Sequence, residues 1–199
     1  MSQRSELRRS IKKETRELLK DDRWNLVLGD LLVSAASGSS AAGVGIVLTG
    51  PFQYGLTNFS LKSVRKEERN TGDLFSGFSS MFGKSLGLFV LEFVYTLLWT
   101  LLFIIPGIIK SYSYSMAFYL LKDNPELGPD EAITRSRKLM KGHKWELFVL
   151  QLSFIGWILL SILTCGILAI FFVGPWMYLA QAKFYESIKE NQETVEVIE

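Results

Sequence analysis

Between residues 147 and 182 the chain reads LFVLQLSFIGWILLSILTCGILAIFFVGPWMYLAQA, with no charged side chain in the whole stretch. About 20 apolar residues, at ~1.5 Å of rise each, cross the hydrocarbon core of a bilayer, so this run holds two crossings. Thr164-Cys165-Gly166 is the natural turn between them. Residues 31–61 form a second uncharged run, and only Glu92 and Lys110 interrupt a third over 87–121. A soluble helical protein scatters charge through such lengths to solvate one face of each helix. The mean hydropathy of +0.21 hides this pattern, because charge is segregated rather than sparse. The expected fold class is all-α: a polytopic membrane protein of six transmembrane helices arranged as three hairpins, with amphipathic interfacial helices on the cytoplasmic side.

The placement of the basic residues gives the expected orientation. Eight Lys or Arg fall in residues 1–23, five in 62–84, six in 122–144 and two in 183–199, with Lys110 the remaining one. The turns near 38–44, 99–107 and 164–167 hold none. Basic loops stay inside, which predicts both termini cytoplasmic in a multi-pass protein of the bacterial cytoplasmic membrane. The charged first 23 residues have no apolar central region and do not read as a cleavable signal. Cys165 is the single cysteine and His143 the single histidine, so neither a disulfide within the chain nor a cysteine- or histidine-cluster metal site is expected. Basic residues interleaved with acids beside apolar spans argue against nucleic acid as a partner.

In chain order, residues 1–23 read as an amphipathic interfacial helix with Leu7, Ile11, Leu18 and Leu19 on one face. The six-span domain occupies 24–188, and 189–199 form an acidic tail. Thr71 is placed to cap a second surface helix carrying Leu74, Phe75, Phe78 and Phe82. Pro129 suits a first helical position, followed by Asp130 and Glu131, with Arg135, Arg137, Lys138 and Lys141 toward the far end, as the helix dipole favours. Pro51, Pro106 and Pro175 are the expected helix kinks or breaks.

Residues 18–30, 80–92 and 139–151 align without gaps, matching Met81 to Met140, Gly83 to Gly142 and Trp24 to Trp145. A threefold hairpin repeat follows, and it brings Asp30, Glu92 and Gln151 to one equivalent position six or seven residues inside each span. Polar groups at that depth face a bundle interior or a water-filled cavity. Together with Lys110 they form a candidate intramembrane polar site for a cation or proton. The competing reading has Asp30 hydrated at the edge, Glu92 bonded locally, and Lys110 reaching the headgroups. Arg135, Arg137, Lys138 and Lys141 are candidate contacts for lipid headgroups or an acidic partner, against the alternative of a solvated helix face. His143 and Lys144 read as interfacial residues. No phosphate-binding glycine loop, zinc spacing or Ser/His/Asp arrangement is present, and no catalytic residue, metal or cofactor is expected.

The stretches IIPGIIK, SYSMAFYLLKDNP, EAITRSRKLMKGHKW and LSFIGW, with LTGPFQYGL and GPWMYLAQAKFYES, resemble the bacterial integral-membrane family called domain of unknown function 975. More loosely, the Gly-Pro helices are similar to the membrane part of certain glycerophosphodiester phosphodiesterases, without room for their catalytic domain. The resemblance implies a multi-span membrane protein and carries over no catalytic residues. The expected role is therefore non-catalytic: binding membrane lipids, another membrane complex or further copies of itself, as an assembly or protection factor. The alternative is a small transporter or channel built on Asp30, Glu92 and Gln151.

Overall fold

The structure, a computed structural model, describes residues 3–38, 42–163 and 168–198. Among these residues there is no strand: nine α-helices are joined by one 3₁₀ helix and one π-helical turn. The first helix, α1, runs unbroken over Gln3–Gly38, and α2 follows over Ala42–Arg65. A 3₁₀ helix occupies Thr71–Phe78, and α3 covers Phe82–Leu102. Next come α4 (Ile104–Tyr114), α5 (Ala117–Asp123) and α6 (Pro129–Leu139). The chain closes with α7 (Lys144–Leu152), α8 (Ile155–Leu163), a π-helical turn (Ala169–Val173) and α9 (Gly174–Ile198).

The N-terminal segment differs from the expectation of a separate surface helix. Between Gln3 and Leu28 there is neither glycine nor proline, so nothing interrupts the backbone where the charge pattern changes at Arg23-Trp24. Its apolar face is covered by protein: Ile11, Thr15 and Leu19 are buried. They pack on α9, where Trp176 Nε1 donates to Thr15 Oγ1 at 3.0 Å and Lys183 meets Glu14 at 2.9 Å. On its other side α1 runs antiparallel to α2, with Asp22 accepting from Ser63 and Arg69, and Gly29 lying against Leu56. Leu26, Leu56, Phe59, Leu179, Phe184 and Tyr185 join these three helices in the main core. Removing the indole N–H by Trp176→Phe is expected to cost about 1 kcal/mol, since it deletes one buried hydrogen bond and keeps an aromatic ring; thermal unfolding in detergent measures it.

Residues 71–78 also depart from the expected surface helix. The cap is Asn70 rather than Thr71, in a box with Asp73, and the turn is 3₁₀. Leu74 is buried, and the backbone at Leu74 and Gly77 lies directly on Gly55 and Pro51 of α2. Of Leu74, Phe75, Phe78 and Phe82, only Phe75 is exposed. Just before it, α2 ends in a left-handed residue, Lys66 (φ 58°), with Glu67 N–H bonded to Lys62 C=O at 2.9 Å, a Schellman-type close.

The prolines act differently from one another. Pro51 lies inside α2, whose helix continues past it. Pro106 sits in the first turn of α4, where no intrahelical donor is lost, and the break expected there falls instead at Phe103, which is extended. Before Pro175 the helix widens into the π turn, which relieves the clash of the ring with the carbonyl four residues back. The run from Lys144 bends at Ser153, and the Ser153 carbonyl accepts from Lys12 Nζ at 2.8 Å, tying the bend to α1. The turns expected at 38–43 and 164–166 lie partly and wholly outside the described residues, as does Cys165.

Among the described residues, two stretches are long and apolar enough to cross a membrane: Phe82–Leu102 and Lys144–Ile162, each with mean hydropathy 1.8. Only 11% and 22% of their apolar windows are covered by the rest of the fold, unlike the core helix of a soluble protein. The α3–α4 pair meets α2 near its base, where Ser85, Leu86 and Phe89 close on Gly50 and Leu88 packs with Tyr54. Its tip, from Leu101 to Ile105, exposes five large apolar side chains, each at least 65% accessible.

Candidate functional site

The four residues expected to form an intramembrane polar site each have different neighbours. Asp30 on α1 lies against Gly174 at the start of α9, where a side chain would collide with its carboxylate. Glu92 on α3 keeps its Oε1 buried without a hydrogen-bond partner. Gln151 on α7 accepts from the Tyr112 hydroxyl of α4 at 2.7 Å. Lys110 lies two turns beyond the Phe103 break, with Nζ 4.4 Å from the centre of the Trp99 ring. No hydrogen bond or ion pair joins any two of the four among the described residues. Among those same residues, no group of three His, Cys, Asp or Glu could hold a metal ion.

Polar groups do converge where the C-terminal ends of α2 and α5 meet the middle of α9. Arg65 forks between two carboxylates, meeting Asp123 through both terminal nitrogens at 2.8 Å and Glu186 Oε1 at 2.7 Å. Asp123 also accepts from Tyr185 at 2.9 Å and from Lys189 at 2.8 Å. Burial raises the Asp123 carboxyl, but hydrogen bonds from Arg65, Lys189 and Tyr185 outweigh it, leaving it below the ordinary carboxylate value. Arg65 is itself pushed higher, first by its hydrogen bond to Asp123. These groups line a cleft of about 690 Å³ that Arg135 and Lys138 also border. The cluster is a structural clasp, since its charges are spent on each other. Sequence reading missed it because its members lie 58 and 121 positions apart from Arg65.

The basic residues of α6 divide. Arg135 turns to Glu131 at 2.9 Å, as spacing by one helical turn favours. Arg137, Lys138 and Lys141 line a separate crevice of about 330 Å³ with Lys110 of α4 and Lys144 of α7. Five cations thus face one space with no carboxylate in its wall. None of the five pairs with an acid among the described residues; nearby Glu146 is engaged with His143 at 3.0 Å. Gly142, with φ at 92°, makes the turn from α6 to α7 and so brings Lys141 and Lys144 to the same mouth. Directly beside the crevice runs an apolar slot of about 180 Å³, lined by Ile108, Ile109, Tyr112, Trp145 and Phe148, with Lys144 shared between the two. Sequence reading had Arg137, Lys138 and Lys141 as contacts but assigned Lys110 to the polar trio and Lys144 to an ordinary interface.

Residues 100–192, a little under half of the chain, match the model of the family described as Protein of unknown function (DUF975). No curated protein and no solved structure matches the chain. The matched region holds every residue of the crevice and slot, and leaves α1, α2 and the 3₁₀ helix outside. The family reached is the one that the motifs resemble, and residues 100–192 match its model.

Proposed function

We propose that the chain is a non-catalytic, multi-pass protein of the bacterial cytoplasmic membrane, with six spans and both termini inside, that works by holding anionic lipid or an acidic partner at its basic face. The observation that carries this reading is the pair of apolar stretches, Phe82–Leu102 and Lys144–Ile162, left largely uncovered by the fold. Uncovered apolar surface of that length needs a medium other than water. The cations of α6 and their neighbours then stand next to that surface, where anionic headgroups collect. Transport through Asp30, Glu92, Gln151 and Lys110 draws no support from their contacts, which are with other residues.

Washing membranes with alkaline carbonate tests the membrane assignment: the protein is expected to stay in the pellet, and release into the supernatant would overturn it. Topology is read by labelling. Cys165 is expected to react with an impermeant maleimide on intact cells, whereas a cysteine introduced by Ser10→Cys, in the background Cys165→Ser, reacts only after lysis. The reverse pattern would invert the orientation.

A further inference from the structure

We propose that the cationic crevice and the apolar slot together form a single binding site for one anionic glycerophospholipid, its phosphate among Lys110, Arg137, Lys141 and Lys144 and part of one acyl chain in the slot. The inference deepens the membrane reading above and rests on it. Three helices and the turn between two of them contribute the cations, and like charges so arranged repel one another unless an anion lies between them. A phosphate accepts several charge-assisted hydrogen bonds at once, which neither a carboxylate nor chloride does as fully.

The slot decides between a lipid and a free phosphate. Its walls are aliphatic and aromatic, and α4 contributes neighbouring residues to both spaces: Ile109 and Tyr112 to the slot, Lys110 and Ser113 to the crevice. Lys144 stands at their junction. An anionic head and an apolar tail on one molecule match that adjacency, and a soluble phosphate leaves the slot empty. Trp145, 67% exposed at the slot's edge, carries the amphipathic ring found at headgroup level. Ile108 and Ile109 of the slot are themselves half exposed and follow the apolar tip of the α3–α4 pair along α4.

The test uses the full chain, extracted in mild detergent and stripped of lipid, with binding read by native mass spectrometry. Phosphatidylglycerol is expected to bind one per chain, and phosphatidylcholine of the same chains far more weakly. The double variant Arg137→Gln/Lys141→Gln is expected to bind phosphatidylglycerol at least about ten-fold more weakly, the consequence of removing two charges that face one phosphate. Arg16→Gln/Lys20→Gln, an equal loss of charge on the exposed side of α1, should leave binding unchanged. Should the double variant fail to fold, Lys141→Gln alone, at an exposed position, carries the test. Phe148→Ala is expected to weaken phosphatidylglycerol while glycerol 3-phosphate stays a poor ligand throughout. Undiminished binding to the crevice variants overturns the site. Glycerol 3-phosphate binding as tightly as the lipid, indifferent to Phe148→Ala, overturns the lipid in favour of a free phosphate ester. The carbonate wash decides membrane residence beforehand, so a failure here is distinct from a failure there.

Discussion

Replacing Arg65 by alanine is expected to destabilise the folded protein by about 3 kcal/mol or more, the usual cost of stripping one partner from a buried ion pair. Arg65 is 26% exposed, but the Asp123 it holds is only 8% exposed, and Glu186 loses the same partner at once. Lys189 and Tyr185 remain on Asp123, so the fold is weakened rather than abolished. Arg65→Lys keeps the charge without the planar fork and is expected to recover only part of the loss, because one ammonium does not span both carboxylates. Unfolding in detergent by heat or denaturant gives both values.

The same cluster sets an acid limit. The folded Asp123 carboxyl sits below the ordinary aspartate value of 3.8, so its ionised form stabilises the native state. That contribution is fully present above the unfolded value and disappears as pH falls from about 4 through the folded one. Wild type is therefore expected to lose stability steeply in that range, and Arg65→Ala less steeply, so their curves converge. Parallel curves for the two would show that Asp123 does not draw its depression from Arg65.

Gly55→Ala is the second large effect. A methyl group there would strike the main chain of Leu74, which cannot swing aside as a side chain does. The 3₁₀ helix must lift off α2, at a cost of about 2–3 kcal/mol for overpacking with backbone movement. Gly72→Ala in the same segment meets open space and is expected to stay within about 0.5 kcal/mol of wild type. The contrast between two glycine-to-alanine changes separates packing from glycine's backbone entropy. Equal stabilities would remove the case for close contact.

What the sequence could disclose follows from how local each feature is. Helical class, the apolar stretches and the start of α6 at Pro129 depend on neighbours within a few residues, and all were legible. The join at Arg23-Trp24 misled because charge pattern tracks surroundings, whereas helix continuity depends on the lack of Gly and Pro. The alignment of Asp30, Glu92 and Gln151 compared depths along separate helices, and equal depth does not make side chains face one point. For the crevice, α6 supplied its own cations to the reading, but Lys110 comes from a helix whose turn falls at Phe103 instead of Pro106-Gly107. The Arg65 clasp needed the ends of two helices to meet the middle of a third, and no spacing rule records that.

The uninterrupted course of α1 leaves that helix no slack. Each inserted residue turns everything before it by about 100° relative to everything after it. An insertion near Arg23 would therefore swing Ile11, Thr15 and Leu19 out of α9 while Leu26 held its place on α2. A loop would swallow the extra residue; a rod hands it on as rotation. Length changes in the first 23 residues are accordingly tolerated in whole turns and punished in between, a phase rule that an ordinary flexible leader would not obey.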